Sequence, residues 1–497
     1  MHVTTFALWL ILFEILCGAI PVLTSSNSPS HTQLSPFESY GYVGALLLYA
    51  LRIASLLVLP QCICNMLGLV LFNGFREKVK LKAAPLLAPL VCYRVVTRGD
   101  YPELVKLDVQ LSQPLLIYCF FRLMHVIFAM KGSGGQVYRR NMETQNIKYN
   151  MAKCRDAGME NFIFEVVTDK AINVPSLPRL REVVVPSTYR TKSGALFKSR
   201  ALQYCLEDDV NILQDDDWVV HLDEETLLTE NAICGILNFC EDGRHQFGQG
   251  VITYANGEIV NWITTLSDSF RVADDMGKLR FQFRFFHKPL FGWKGSFVVT
   301  QVGAERKVSF DHGREGSIAE DCFFSMIAFR DGYTFDFIEG EMHEKSPFTF
   351  WDFLQQRKRW IQGIYLTVHA KQIPTKNKIL LGLSFYAWAT MPLTSLQVFL
   401  FHLFPLPPCF IFDFLVGFVA AVNLYMYIYG VIKSFSNKYR HSPLRLCLYM
   451  AGAMLTIPFN VWIENIAVLW GMLGDKNGFY VVKKDVQLLN EHDGLPC

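Results

Sequence analysis

Trp218-Val219-Val220-His221-Leu222-Asp223-Glu224-Glu225 reads as an apolar strand that ends in carboxylates. Carboxylates at a strand end can hold a hard divalent cation beside substrate phosphates. Two further motifs follow in order. Ile318-Ala319-Glu320-Asp321 offers a carboxylate as general base. Gln356-Arg357-Lys358-Arg359-Trp360 places Gln356, Arg359 and Trp360 at i, i+3 and i+4, on one helix face. That face suits a diphosphate and a sugar ring. Each motif is weak alone. Asp321 also reads as the cap of a helix over Cys322–Arg330, and Asp223–Glu225 as an acidic surface turn. In this order, just ahead of long apolar segments, they imply sugar transfer from a nucleotide diphosphate.

Around this stretch, from Pro89 to about Gly340, short apolar strands alternate with amphipathic stretches, the pattern of an α/β fold. The strands are expected at Leu90–Val96, Phe162–Val167, Glu182–Val185, Trp218–Leu222, Val251–Tyr254, Phe297–Val302 and Thr334–Ile338. Ligands bind beyond the carboxyl ends of such strands. Thr97 and Arg98 close the first strand and Asp169 the second, where they can hold a nucleotide. Asp169 reads also as a helix cap. Thr191-Lys192-Ser193-Gly194-Ala195-Leu196 is expected to open the helix before the acidic strand, where Lys192 and a helix N-terminus attract phosphate. An ordinary exposed lysine is the plainer reading. Phe291-Gly292-Trp293-Lys294-Gly295-Ser296 is a candidate acceptor floor, with Trp293 stacking on a sugar or simply buried. Asp223 and Glu225 are the expected metal ligands. Their hard oxygens favour Mg2+ or Mn2+ over zinc.

Hydrophobic residues make up 51% of the 497 and charged residues 19%, too apolar for an ordinary soluble enzyme. A net charge of +2 with no basic tail gives no footprint for nucleic acid. The 13 cysteines are scattered, many within apolar runs, and read as buried thiols in a reducing compartment. No Asn-x-Ser/Thr glycan acceptor occurs.

Phe6 to Leu23 reads as an uncleaved membrane segment, since a signal peptide would carry a basic n-region. Tyr42 to Phe72 reads as one tilted or kinked span. Arg76, Lys78, Lys80 and Lys82 follow at once and place what comes next in the cytosol. Trp351–Lys371 is expected to be a helix at the membrane surface. Apolar segments then run Ile379–Phe404, Phe410–Ile432 and Leu446–Leu473, with the basic loop Lys433–Arg445 on the cytosolic side. The last segment carries Asn460 and Glu464 and reads as one span or a returning pair, which leaves the side of the tail open. Pro114 to Met130, between the first two strands, cannot span a membrane without separating those strands. It reads as a docked helix or an insertion.

The same residues resemble the inverting GT-A glycosyltransferases that include cellulose, chitin and hyaluronan synthases. Asp223-Glu224-Glu225 resembles their D-x-D site, with Glu225 as a departure, and Ala319-Glu320-Asp321 their x-E-D motif. Gln356, Arg359 and Trp360 match Q-x-x-R-W, Asp169 their nucleotide aspartate, and Lys192 to Leu196 their K-x-G-A-L segment. RVVTRGDYPELV, EVVTDK, TKSGALFKSRALQYCLE and HLDEET look most like the Egghead-type β-1,4-mannosyltransferases. The resemblance covers nearly the whole chain except about Ser112 to Arg139.

The resemblance implies a GT-A nucleotide-sugar-binding domain over 84–348, flanked by transmembrane helices. Residues 1–75 form N-terminal membrane segments, 349–375 an interfacial helix, 376–473 C-terminal membrane segments and 474–497 a tail. The implied reaction moves mannose from GDP-mannose to glucosylceramide, a membrane glycolipid acceptor taken from the lipid bilayer. Asp321 acts as base with Glu320 beside it. Asp223 and Glu225 hold a divalent cation. Thr97, Arg98, Asp169, Lys192 and Asp223 hold the donor, and Gln356, Arg359, Trp360 and Trp293 the diphosphate and acceptor. The expected location is the endoplasmic reticulum or Golgi, with the catalytic domain in the cytosol. Rival readings are a processive polysaccharide synthase, which needs a channel of more spans, and a catalytically silent scaffold.

Overall fold

A strand with both faces covered needs no alternation of apolar and polar residues. Trp218–Leu222, called β4 below, is buried at every position for this reason. The computed structural model describes residues 2–17, 35–75, 78–82, 89–97, 142–172, 174, 177–255, 259–439 and 442–475. Arg98, the insertion near 112–139 and the tail beyond 475 lie outside the described residues.

The chain enters through α1 (His2–Leu16), α2 (Pro36–Ala54) and α3 (Leu59–Leu71). The catalytic body follows with β1 (Val91–Thr97), α4 (Met142–Asp156), β2 (Phe162–Thr168), β3 (Leu180–Val184), α5 (Phe197–Tyr204), β4 and α6 (Glu230–Asp242). It continues with β5 (Phe247–Thr253), α7 (Trp262–Ser267), α8 (Ser269–Asp274), two π-helical turns (Asp275–Leu279 and Gln282–Phe286), β6 (Val298–Gln301), α9 (Val302–Val308), α10 (Glu320–Arg330) and β7 (Phe335–His343). The last helices are α11 (Phe350–His369), α12 (Thr375–Ala389), α13 (Met391–Leu403), α14 (Phe410–Tyr439) and α15 (Pro443–Leu473).

All seven expected strands form one sheet, in the order β3-β2-β1-β4-β6-β5-β7. The first four are mutually parallel, β6 runs antiparallel between β4 and β5, and β7 runs parallel to β5. This is the mixed α/β sheet of a GT-A domain. β5 starts at Phe247, before the expected Val251, because Gly248 and Gly250 are packing glycines. A Cβ on Gly250 would stand 2.1 Å from the Phe297 ring. β7 runs past Ile338 to His343 through Gly340, which adopts φ +98.

Beneath the sheet's working end lies a buried ionic floor. Arg94 on β1 donates to Glu165 on β2 (2.8 Å) and to Glu305 on α9 (3.1 Å). The Glu305 carboxylate also meets His221 Nε2 on β4 at 2.7 Å. Burial would raise the Glu305 pKa, but His221 and then Arg94 hold it below the usual range. A paired and bonded buried charge fixes its neighbours in one arrangement, here three strands and a helix.

Among the described residues three helices are long and apolar enough to cross a membrane: Pro36–Leu71, Phe410–Phe435 and Pro443–Leu473. The first is α2 and α3 joined end to end, as the single kinked span expected there. The expected segment Ile379–Phe404 is instead a bent pair, α12 and α13, turned by 54°. Pro392, near the start of α13, fits the first turn of a new helix, whereas within an old one it would remove a backbone bond. The final stretch is one continuous helix that holds Pro458 within it.

Candidate active site

Asp223 follows β4 at the carboxyl end of the parallel strands. Its backbone amide donates to Ser296 Oγ at 3.3 Å. Ligand oxygens of Asp223, Glu225 and Glu344 lie within 4.8 Å of one another. Glu344 follows β7 and is buried, accepting from Thr226 Oγ1 and Ser296 Oγ at 2.7 Å each. Burial and then the Asp223 charge raise its pKa. Three carboxylates converging in this way offer hard oxygen ligands that fit a divalent cation.

Lys198 on α5 ties this group to the second motif. Its Nζ lies 2.8 Å from Asp223 Oδ1 and 3.7 Å from Glu320 Oε1. Burial would lower the lysine's pKa, but Asp223 and Glu320 outweigh it and keep the ammonium charged. Glu320 and Asp321 occupy the first turn of α10, where the helix dipole favours negative charge. Asp321 lies inside the first turn rather than at the cap, which is Ala319, and its Oδ1 accepts from the Cys322 amide at 2.7 Å. Burial first, and Glu320 second, push the Asp321 carboxyl up to about 7, against the opposing pull of Lys198 and Arg359. A carboxylate tuned that high suits a general base at neutral pH. Gly295 leaves room for it, since a Cβ there would stand 3.0 Å from Asp321 Oδ2.

Trp293, read as part of an acceptor floor, belongs to the core. Its ring lies parallel to Phe324 at 5.8 Å and meets Phe247 and Phe335 edge-on. Its indole N–H donates to the Asp321 backbone oxygen at 2.7 Å, so it seats the acidic turn. Phe324 of α10 stacks on the ring, which also lines a small pocket with Lys198, Glu320 and Asp321.

Lys192 is exposed, but the segment around it does not open a helix. The helix α5 starts later, at Phe197. The amides of Ser193, Ala195 and Leu196 already donate to Asp311, Thr191 and Ser317 at 2.7, 2.7 and 2.9 Å. Phosphate attraction at this place rests on the Lys192 charge alone. Asp169 stands at the end of β2 and pairs with Arg200. Thr97 ends β1 in register with Thr168.

Gln356, Arg359 and Trp360 lie on α11, which Gly363 seats against Ala319 beside the acidic turn. A Cβ on that glycine would stand 2.8 Å from Ala319 N. The hub of this helix is Arg357, a position the three-residue motif passes over. Its guanidinium donates to Gln356 Oε1 (3.0 Å), Asp268 Oδ1 (2.7 Å) and Glu464 Oε1 (2.8 Å). It also lies 4.4 Å from the centre of the Trp360 ring, with Arg271 at 4.5 Å from the same ring. Lys198, Glu344, Arg357 and Arg271 were not singled out from the sequence. Glu344 follows a strand end only because β7 runs on to His343, five residues past the expected Ile338.

The mixed sheet, the carboxylates at its strand ends and the acidic helix turn define a glycosyltransferase of the GT-A type. The family described as glycosyl transferase family group 2 matches residues 218–433. The chain is 66% identical over 487 residues to "Beta-1,4-mannosyltransferase bre-3" of Caenorhabditis briggsae, covering 98% of each chain. It is 55% identical over 489 residues to "Beta-1,4-mannosyltransferase egh" of Drosophila melanogaster, again covering 98% of each. It therefore belongs to the Egghead-type β-1,4-mannosyltransferase family, and it is a hexosyl-transferring enzyme. Among solved structures, the mannosyltransferase PcManGT from Pyrobaculum calidifontis, in complex with GDP-Man and Mn2+, aligns with 84% of this chain and 99% of its own. Its TM-score is 0.43 and its identity 14%.

Proposed function

We propose that this chain moves mannose from GDP-mannose to glucosylceramide, inverting the anomeric carbon to a β-1,4 linkage. The observation that supports this reading most is the spacing of the carboxylates around Lys198. Glu320 and the metal-type triad lie on either side of that ammonium, with Asp321 next to Glu320. One group thus serves a diphosphate and the other an acceptor hydroxyl, and the relatives named above are mannosyltransferases over their full length.

Asp321 takes the proton of the acceptor hydroxyl as its oxygen attacks the anomeric carbon. The bond to the nucleoside diphosphate breaks and the nucleotide leaves with the electron pair. Asp223, Glu225 and Glu344 would hold Mg2+ or Mn2+, which supplies charge neutralisation for the departing diphosphate. Arg359 adds fixed positive charge from the α11 side. Thr97, Arg98, Asp169 and Lys192 are assigned to the donor, Gln356 and Trp360 to the acceptor end. The membrane seat favours a lipid acceptor, which keeps its tails in the bilayer and lifts only its sugar to Asp321. The catalytic domain faces the cytosol of the endoplasmic reticulum or Golgi, on the side of the basic residues 78–82 and 433–445.

The test is to incubate membranes holding the full chain with labelled GDP-mannose, UDP-glucose or UDP-GlcNAc and to analyse lipid extracts. One labelled hexose on an extractable glycolipid, from GDP-mannose alone, is expected. Insoluble polymer, or equal turnover of a free disaccharide acceptor, would overturn the reading.

A further inference from the structure

The last apolar helix, α15, has the length and composition of a transmembrane span. Its surroundings do not fit one. Leu444, Leu448, Leu455, Trp462, Leu469 and Leu473 are each exposed by 50% or more. Their spacings of four and seven keep them within one narrow stripe of a helix with 3.6 residues per turn. The stripe runs the whole length of the helix. The buried positions, among them Ala453, Ile463, Ala467 and Gly471, fall on the opposite side.

That opposite side rests along its length on α7 of the catalytic body, on the second half of α14 and on α11. Tyr449, near the start, stacks on Trp262 of α7 at 4.9 Å. Phe459 meets Phe350 at 4.9 Å, and Glu464 accepts from Arg357 at 2.8 Å. Past the end, Gln362 of α11 donates to the backbone oxygen of Asp475 at 2.7 Å. From Phe459 onward α15 therefore runs beside α11 in the same direction. A helix of 31 residues is about 46 Å long, against about 30 Å of hydrocarbon core. A helix crossing that core carries one end to the far leaflet, away from a domain on the near side.

The neighbouring α14 behaves as a span should. Its first half meets other apolar helices, with Asp413 paired to Arg52 of α2 and the Ala421 oxygen accepting from Trp9 of α1 at 3.1 Å. Its second half reaches the catalytic body, through Tyr427 on Phe270 (5.2 Å) and Lys433 to Glu341 (3.0 Å).

We infer that α15 does not cross the membrane but lies in its plane, pressing the Leu444–Leu473 stripe into the leaflet next to the catalytic domain. A helix polar on one side and apolar on the other takes that position at a bilayer surface, and here bonded protein groups replace the polar face. Asn460 and Glu464 then point to protein partners, Tyr427 and Arg357, rather than into lipid. The loop before α15 and the tail after it consequently share one side of the membrane. The inference rests on the membrane seat described above, but not on its orientation.

The test places a short protease-cleavage site between residues 439 and 442, or after residue 497, in the full chain. Sealed microsomes are treated with the protease with and without detergent, and hexosyl transfer verifies the fold of each variant. Antibodies to residues 433–445 and 484–497 give the same reading on the unmodified chain. Both ends are expected to be reached together without detergent. Protection of both until detergent is added keeps α15 in the plane and reverses the cytosolic orientation instead. One end reached and the other protected overturns the inference.

Discussion

Asp321 carries both the proton transfer and the clearest pH signature. With its carboxyl raised to about 7, the base is protonated below that pH, so the transfer rate should fall as pH drops through about 7. Folding has the opposite sign. Between the ordinary carboxyl value and about 7 the native chain holds a proton that the unfolded chain has released, so this group's contribution to stability is lost as pH rises. Asp321→Asn should therefore abolish transfer, leave nucleotide-sugar affinity nearly unchanged, and unfold no earlier than wild type above pH 7. Turnover near normal would remove Asp321 from its role. Glu344→Gln tests the third carboxylate separately. It should raise the cation concentration needed for half-maximal rate by about tenfold or more, while excess cation restores most of the rate. An unchanged cation requirement would leave Glu344 a structural acid. Asp223, Glu320 and Asp321 were legible in the sequence because each belongs to a short motif with a mechanism. Glu344 and Lys198 were not, because they reach Asp223 from 121 and 25 positions away, a relation made only by the sheet.

At the scale of elements, α11 is held by what surrounds it rather than by its own sequence. Arg357 fastens it to the α7–α8 junction through Asp268 and to α15 through Glu464, and Trp388 of α12 donates to the other Glu464 oxygen at 3.0 Å. The same guanidinium orients Gln356 and lies against Trp360, so Glu464 acts through Arg357 on both residues proposed for the acceptor end. Small displacements of such groups cost rate steeply. Glu464→Gln should lower kcat/KM for the acceptor by about tenfold, with donor affinity unchanged and Glu464→Asp recovering part of the loss. Arg357→Gln combined with Glu464→Gln should be little worse than Arg357→Gln alone, because both remove one interaction. Additive losses would show that Glu464 acts elsewhere. The helix periods were readable, as was the apolar character of 379–404, but its 54° bend was not. Partner choice also escaped the sequence. Glu464 inside an apolar run marks a polar contact, and only the packing of α15 beside α11 names Arg357 as its partner.

For the molecule as a whole, membrane helices and catalytic body share backbone contacts too close for any side chain. A Cβ on Gly68 of α3 would stand 2.0 Å from the Gly277 oxygen, and one on Gly430 of α14 would stand 1.8 Å from the Ser269 oxygen. Asn65 on α3 reinforces the first seam, accepting from the Lys278 amide at 2.6 Å and donating to Asp274 at 3.1 Å. The sequence shows these glycines as ordinary residues of apolar helices, since close approach belongs to two segments at once. The consequence is that the catalytic domain has no finished surface where α3 and α14 leave it. Val272, Ala273 and Met276, all buried, sit on that side, within a core that also takes in Cys62, Leu69, Val422 and Met426. Excised as residues 78–372, the domain would expose this apolar face, and large exposed apolar patches drive association. It should aggregate, whereas the full chain should extract as a single species in mild detergent. Gly430→Leu in the full chain should act in the same direction, because overpacking at a backbone contact forces the two bodies apart. Size-exclusion profiles and hexosyl transfer decide both cases. A monodisperse, active 78–372 fragment would mean that the spans only anchor the enzyme and do not complete its fold.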